Sequence, residues 1–288
     1  MAVRDADLAL ALAGLDALET VDDRGPGWLR KGWTAAWPKL LAIAIALGLW
    51  QVLDWTDWRP DYALAGPAPA LRQLSSIMQE AVFWKAIAIT AQRALVGYAV
   101  AIVVGLVVGI AVARVRTLRS GVGALITGLQ TMPSIAWFPL AIVLFKLSEQ
   151  AILFVVVLGA APSIANGLIS GVDHVPPILV RAGRVLGARG LTLMRHVVLP
   201  AALPACVGGL KQGWAFAWRS LMAGELIVIV ANKPSLGSRL TFARELSQSD
   251  LLIAYMIVIL VIGILVDSLF GRADRAIRRR WGLMDAAS

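Results

Sequence analysis

The sequence predicts an all-α, polytopic membrane protein with about six transmembrane helices. Hydrophobic residues make up 59% of its 288 residues, charged residues make up 16%, and the mean hydropathy is +0.76. These values exceed what a soluble domain of this length needs. A helix that spans a bilayer needs roughly 20 mostly apolar residues. Six segments meet that requirement, at about 37–54, 83–113, 120–145, 151–172, 203–230 and 251–270.

The basic residues predict how these helices are oriented. Of the 27 Lys and Arg residues, 17 fall in four segments that share one side of the membrane if the spans alternate. Cytoplasmic loops of membrane proteins carry an excess of Lys and Arg. We therefore expect both termini of a multi-pass protein to lie in the cytoplasm. The four segments are 1–39, 114–119, 173–200 and 271–288.

The spans also set the domain organisation. We predict a cytoplasmic N-terminal extension at 1–36, a transmembrane domain at 37–271 and a basic cytoplasmic tail at 272–288. The apolar run at 8–18 lacks the basic start and the small-residue cleavage site of a signal peptide. The proline-rich segment that follows the first span, at 54–74, predicts an external turn before the second helix.

Several kinds of chemistry have no support in the sequence. No G-x-x-x-x-G-K-[ST] loop is present to cradle a nucleotide. The single cysteine, Cys206, cannot form an internal disulfide, and neither His174 nor His196 has a suitable carboxylate or serine nearby. We expect no catalytic residue, no metal site and no bound cofactor. The basic residues lie between apolar runs rather than on one soluble face, which argues against nucleic acid.

The longest break between apolar spans, at 173–200, has the pattern of a helical hairpin. The sequence predicts a short helix at 180–186, a turn at 187–190 and a second short helix at 191–197, before Pro200 starts the fifth span. A basic loop on the membrane surface is the alternative, but such a loop needs no helix-breaking residues. The apolar side of the hairpin is expected at Leu179, Leu186 and Leu193.

This hairpin sequence closely resembles the cytoplasmic loop of ABC importer permeases. The pattern of that loop is E-A-A, three residues, G, and a closing L-P. Gly187 matches the glycine, Leu199 and Pro200 match the L-P, and Ala182 and Gly183 match the two alanines. The position of the glutamate holds an arginine. The coupling loop implied by the resemblance comprises Arg181, Ala182, Gly183, Arg184, Leu186, Gly187, Ala188, Arg189, Leu199 and Pro200.

Three further motifs resemble the nitrate, sulfonate, taurine and bicarbonate branch of these permeases. The run ITAQRALVGY is similar to S-L-x-R-x-x-x-G-Y, and LQTMPSIAWFPL is similar to Q-x-x-P-x-x-A-W-x-P-L. The third, AGELIV followed by SLGSRL, resembles A-E-L followed by G-L-G, with Ser235 at the first glycine. The resemblance extends from about Trp37 to Leu283 and favours the aliphatic sulfonate permeases.

The resemblance implies a type I ABC importer permease in a bacterial plasma membrane. Its expected partners are two copies of an ABC ATPase that uses ATP and Mg, a second permease subunit that forms a homodimer, and an extracytoplasmic solute-binding protein. The expected solute is a small oxyanion, an aliphatic sulfonate ahead of nitrate, taurine or bicarbonate. The alternatives are an importer of an uncharged small heterocycle and a secondary transporter, which would need no ATPase.

Charged residues inside the spans are the candidates for a translocation path. Arg93 and Glu225 have opposite signs at similar depth, which predicts a structural charge pair. The fifth span predicts a polar and aromatic face, and the two prolines of the third segment predict a kink or a break beside a cavity. An ordinary proline kink is the alternative. The candidate path residues are Gln130, Trp137, Lys211, Trp214, Trp218 and Arg219.

Overall fold

The computed structural model describes residues 28–56, 60 and 63–280, all of which lie in helices or the turns between them. The predicted N-terminal extension up to residue 27 and the last eight residues of the predicted tail lie outside the described residues. The chain divides into two units, Met1–Trp58 and Arg59–Ser288. The described part of the first unit contains one helix, α1, at Trp28–Trp55.

The second unit holds the remaining helices. They are α2 (Pro67–Ile77), α3 (Ala81–Arg114), α4 (Arg116–Thr131), α5 (Phe138–Phe145), α6 (Glu149–Asp173), α7 (Pro177–Val185), α8 (Gly190–Leu193), α9 (Leu199–Ile227), α10 (Leu236–Glu245) and α11 (Ser249–Arg280). Among the described residues, five helical stretches are long and apolar enough to cross a membrane, and a bent pair of helices provides a sixth. The predicted fold class and six segments are therefore confirmed.

Helix α6 is the centre of the second unit, because small residues bring its neighbours close. A β-carbon added to Gly105 of α3 would lie 2.8 Å from the carbonyl oxygen of Ala161. A β-carbon added to Gly167 would lie 2.4 Å from the α-carbon of Gly209 on α9. Glycines let membrane helices approach until their backbones touch. The three helices thus pack through backbone contacts that larger residues would prevent.

The third apolar segment is broken rather than straight. Helices in the ranges Gly121–Thr131 and Ser134–Phe145 meet at an angle of 104°. Met132 and Pro133 have extended backbone conformations, and a 3₁₀ turn at Ser134–Trp137 leads into α5. Proline lacks an N–H group and excludes the preceding residue from helical geometry, so the helix ends at Thr131, two residues before Pro133. The predicted break is confirmed.

The predicted hairpin is present, with one correction. Gly187 has a φ of +85° and ends α7 in a Schellman motif, in which Ala188 N–H donates to Gly183 O (2.9 Å) and Gly187 N–H donates to Arg184 O (3.0 Å). The prediction that Pro200 separates the second short helix from the fifth span is wrong. Residues from Gly190 to Ile227 form one continuous helix.

A π-helical turn at Met194–Val198 lets the chain pass Pro200 without a break. Leu199 N–H donates to the carbonyl oxygen of Met194, five residues earlier. This longer hydrogen-bond register accommodates Pro200 within the helix, since proline has no N–H to donate. The second arm of the hairpin is therefore a rigid extension of α9.

Two short helices were not predicted. The proline-rich segment expected to be only a turn contains α2, which begins with Pro67, a residue suited to the first helical position. Helix α10 begins after Ser235, whose side chain accepts from Ser238 N–H while the Ser238 hydroxyl accepts from Ser235 N–H. Ser235 has a φ of −131°, so a glycine is not required there. The predicted tail continues α11 as far as Arg280.

The contact between Gly167 and Gly209 leads to a stability prediction. We expect Gly167→Ala to destabilise the protein by about 1–3 kcal/mol, since its methyl group would meet backbone that cannot move aside cheaply. Gly208→Ala is the matched control, because none of the described residues lies within 4 Å of a β-carbon added there. Thermal unfolding in detergent measures both. A Gly167→Ala midpoint at or above that of Gly208→Ala would contradict the packing described here.

Candidate functional site

A buried ionic network joins three helices and the loop before α10 at one end of the second unit. Arg93 on α3 donates to Glu225 on α9 (2.9 Å) and to both carboxylate oxygens of Glu149 on α6 (2.7 and 2.8 Å). The exposed fractions of the Arg93 and Glu225 side chains are 4% and 0%. Lys233 lies 3.3 Å from Glu149 and adds a second cation. The structure thus brings Arg93 and Glu225 together and adds a second carboxylate.

The same network fixes the start of α10. Glu225 accepts from the N–H of Gly237 (3.0 Å), and Thr90 accepts from the N–H of Leu236 (3.0 Å) while donating its hydroxyl to Glu225 (2.9 Å). A β-carbon on Gly237 would lie 2.4 Å from that of Glu225. A carboxylate is favourable at a helix N-terminus, where N–H groups lack intrahelical partners. Glu225 of the first motif (AGELIV) and Gly237 of the second (SLGSRL) are therefore direct partners in the structure.

A cavity of about 310 Å³ lies where the broken segment meets α6 and α9. Three of the six predicted path residues line it, Gln130, Trp137 and Arg219. The side-chain amide of Gln130 donates to the hydroxyl of Ser163 (3.0 Å). An intramembrane polar cavity of this kind forms where irregular backbone is screened from lipid.

Two groups at this cavity have hydrogen-bonding capacity to spare. The Arg219 guanidinium is exposed, lies 5.8 Å from the centre of the Phe216 ring and, among the described residues, has no carboxylate within 4 Å. The Ser220 hydroxyl is buried without a hydrogen-bond partner in the described part of the chain. It lies against Gly159, which lines the cavity. The cavity wall therefore offers a cation, and the buried Ser220 hydroxyl lies behind that wall.

The structure separates the other three predicted path residues from this cavity. Trp214 is 7% exposed and packs edge-to-face on Tyr98, with the ring centres 5.3 Å apart. Lys211 lies 3.2 Å from Asp267 of α11, and Trp218 lines a groove against the same helix. These three residues of α9 thus pack against neighbouring helices instead of lining the cavity. The sequence pattern did not separate the two cases, since aromatic residues and a paired lysine at helical spacing suit helix packing as well as a solute path.

Some polar residues of the two sites were missed by the sequence analysis. Glu149 stands at the first position of α6, where an acidic residue complements the helix dipole, and that position could have identified it. Thr90, Ser163 and Ser220 are small polar residues inside apolar runs, and sequence alone gives no signal for which of them face a partner. The network and the cavity depend on them nonetheless.

The hairpin presents an apolar tip. Val185 and Leu186 at the end of α7 are each 87% exposed, Ile178 is 72% exposed and Leu191 is 68% exposed. Gly183 is buried against Leu193, with an added β-carbon 2.8 Å from a Leu193 methyl group. The expectation that Leu193 shares the outer apolar side of the hairpin is therefore wrong, since it packs between the two arms. Leu179, in contrast, is exposed.

The chain resembles known membrane transport proteins over most of its length. Residues 101–279 match the family described as binding-protein-dependent transport system inner membrane component. A protein of Methanocaldococcus jannaschii named as an ABC transporter permease is 35% identical over 179 residues, which cover 62% of this chain and 66% of that protein.

Two Escherichia coli proteins match a larger part of this chain. The taurine transport system permease protein is 28% identical over 243 residues, covering 83% of this chain and 86% of its own length. A protein named as an aliphatic sulfonates transport permease is 28% identical over 233 residues, covering 80% and 86%.

Two solved structures share the fold. An inward-facing structure of the MetNI methionine ABC transporter has a chain that aligns with a TM-score of 0.59 and 21% identity, covering 68% of this chain and 96% of its own. An amino acid ABC transporter with histidines aligns with a TM-score of 0.58 and 16% identity, covering 72% and 97%. At these identities the likeness concerns the fold, which is that of a type I importer permease.

The ionic network makes a prediction about folding. Arg93→Met should lower the free energy of unfolding by about 3–5 kcal/mol, because it leaves two carboxylates without their shared cation. Less of the protein should then be folded. Lys211→Met is the matched control and should cost about 1 kcal/mol or less, since the Lys211 and Asp267 side chains are 41% and 60% exposed. Membrane abundance and thermal unfolding in detergent measure the difference. Equal stability of the two variants would contradict the network's structural role.

Proposed function

The chain belongs to the family of binding-protein-dependent transport system inner membrane components, and we propose that it forms the translocation path of an ATP-driven importer for a small oxyanion. An aliphatic sulfonate is the first candidate solute, with nitrate, taurine or bicarbonate next. The similarity to permeases named for taurine and aliphatic sulfonates supports a small oxyanion of this kind. The chain itself has no catalytic role in this proposal, and ATP and Mg are used by a separate ATPase.

The observation that carries the proposal is the polar cavity at the break in the third segment. Arg219 is exposed at that cavity, within a helix long enough to span the bilayer. A charged side chain at such depth is costly against lipid and is expected to face water or a partner. An oxyanion passing the cavity would meet the guanidinium of Arg219 and the amide of Gln130, which both line it.

The chemistry of these groups favours an oxyanion over an uncharged heterocycle. A guanidinium forms charge-assisted hydrogen bonds with oxygen atoms that carry negative charge, and these are roughly twice as strong as neutral ones. The side-chain amide of Gln130 adds a donor without adding negative charge. No carboxylate among the described residues lines this cavity, so nothing there repels an anion.

The hairpin supports the proposed coupling to an ATPase. Its exposed apolar tip, at Val185 and Leu186, has the character of the buried core of a protein interface. Its second arm continues into α9, which carries Arg219 and Glu225. A displacement of the tip would therefore reach the cavity and the ionic network through one helix. We propose two ATPase copies, each bound by one permease subunit of a homodimer.

The orientation and the remaining partner follow from the same proposal. With the hairpin in the cytoplasm, the segments that hold 17 of the 27 Lys and Arg residues also lie in the cytoplasm, as do both termini. An extracytoplasmic solute-binding protein would deliver the solute at the opposite face. A secondary transporter would need neither that protein nor the hairpin's exposed apolar tip.

Replacement of Arg219 tests the nature of the solute. We expect Arg219→Met to lower oxyanion uptake by about tenfold or more, the effect of losing one hydrogen bond to a charged group. Lys211→Met, on the same helix but away from the cavity, should leave uptake close to that of the wild type. Uptake of short alkanesulfonates, taurine, nitrate and bicarbonate is measured in vesicles that contain the binding protein and ATPase. Wild-type uptake by Arg219→Met at normal abundance would refute the proposed oxyanion contact.

Replacement of Leu186 tests the coupling surface. Leu186→Glu should weaken ATPase binding by about tenfold or more, because it places a charge in the apolar centre of the proposed interface. The fold should be unaffected, since this side chain is 87% exposed. Leu147→Glu, at a side chain that is 57% exposed outside the hairpin, is the matched control. Co-purification of the ATPase measures both variants, and equal recovery would show that the tip is not the docking surface.

A further inference from the structure

A second cavity, of about 440 Å³, lies beside the ionic network and is not explained by solute transport. It is bounded by α3, the start of α6 and the loop that precedes α10. Its polar lining includes Lys85, Gln92, Arg93 and Lys233. We call it the lateral cavity, because it opens on a different side of α6 from the first cavity.

The position of the lateral cavity follows from the geometry of α6. Leu153 lines the lateral cavity, whereas Leu158 and Gly159 line the first one. At about 100° per residue, Leu158 and Gly159 lie about 140° and 240° around the helix from Leu153. The two cavities therefore open on opposite sides of α6. A solute in the first cavity does not reach the second without crossing that helix.

The charges around the lateral cavity leave one cation without a partner. Arg93 and Lys233 face two carboxylates, those of Glu149 and Glu225, and these four side chains compensate one another. Lys85 is exposed and has no carboxylate within 4 Å among the described residues. The net charge of the cluster is therefore one positive charge. A phosphodiester, which carries one negative charge, complements it.

Apolar side chains of α3 and α6 line the lateral cavity below its cations. They are Ile89, Val96 and Leu153, which we call the apolar wall. Ile89 and Val96 are seven residues apart and so share one face of α3. The rise from Lys85 to Val96 is about 17 Å at 1.5 Å per residue. This length matches one leaflet's hydrocarbon layer, which is about half of 30 Å.

The lateral cavity lies at the end of α3 that is remote from the hairpin. Lys85 is near the start of α3, whereas Arg114 at its end lines a small cavity with Met194 and Leu199 of the hairpin side. The rise from Lys85 to Arg114 is about 43 Å, which exceeds the thickness of the hydrocarbon core. The cationic opening is therefore at headgroup depth in the leaflet opposite the hairpin.

We propose that the lateral cavity binds an anionic phospholipid of that leaflet. The phosphodiester would contact Lys85 and the exposed side of Lys233, the headgroup hydroxyls would meet Asn232, and one acyl chain would lie along the apolar wall. Basic recesses between membrane helices suit anionic headgroups, and the apolar wall distinguishes a lipid from a free anion. The bound lipid would strengthen the network by adding negative charge beside its surplus cation.

Native mass spectrometry of the full-length chain in detergent tests this proposal. Phosphatidylglycerol and phosphatidylcholine with identical acyl chains are the probes. The wild type should bind phosphatidylglycerol more tightly, and Lys85→Gln should weaken that binding by about fivefold, the effect of one cation near an anionic surface. Lys146→Gln is the matched control, because Lys146 is an exposed cation that does not line the cavity. It should bind phosphatidylglycerol like the wild type.

Competition experiments identify what the cavity recognises. Inorganic phosphate and glycerophosphoglycerol, which has the headgroup without acyl chains, should not displace the lipid at millimolar concentration. Displacement by either would show a free-anion site and overturn the proposal. Equal phosphatidylglycerol affinity in the wild type, Lys85→Gln and Lys146→Gln would also overturn it, as would the absence of phosphatidylglycerol binding to the wild type. Tryptophan fluorescence and size exclusion establish that the variants remain folded.

Discussion

The fold depends on the need to compensate buried charge inside an apolar bundle. Arg93, Glu149 and Glu225 come from three different membrane helices, and each would be costly there by itself. Together they fix the rotation and depth of α3, α6 and α9 relative to one another, because hydrogen bonds of 2.7–2.9 Å tolerate little sliding. Close glycine contacts then bring the same helices together along their length. The charge network gives the bundle its register, and the small residues allow it to pack.

This register positions the rest of the molecule. Helix α9 carries Glu225 at one end of its span and continues into the hairpin at the other, with Arg219 at the cavity between them. A single rigid element therefore links the apolar hairpin tip, the polar cavity and the ionic network. The break at Pro133 supplies the irregular backbone against which the cavity forms. The proposed coupling of ATP hydrolysis to solute passage requires this continuity.

Sequence patterns were sufficient for features that local chemistry determines. The six apolar segments, the break between Gln130 and Pro139, and the glycine turn of the hairpin all follow from hydropathy, proline and glycine. Features that depend on which helix faces meet were harder to predict from the sequence. The aromatic stripe of α9 packs against α11, whereas Arg219, about 100° around that helix from Trp218, lines the cavity. The π-helical turn before Pro200 was missed because a proline near a helix start normally indicates a boundary.

Water access to the first cavity tests the central claim most directly. In a Cys206→Ala background, Ser134→Cys adds a thiol at the cavity lining, and Val103→Cys adds one at an exposed apolar position of α3. Vesicles with the binding protein and ATPase are treated with a membrane-impermeant thiol reagent. The account predicts labelling of Ser134→Cys that a transported oxyanion slows and that ATP alters, with no labelling of Val103→Cys. A Ser134→Cys thiol that stays unlabelled in every nucleotide state would contradict a solute path through this cavity.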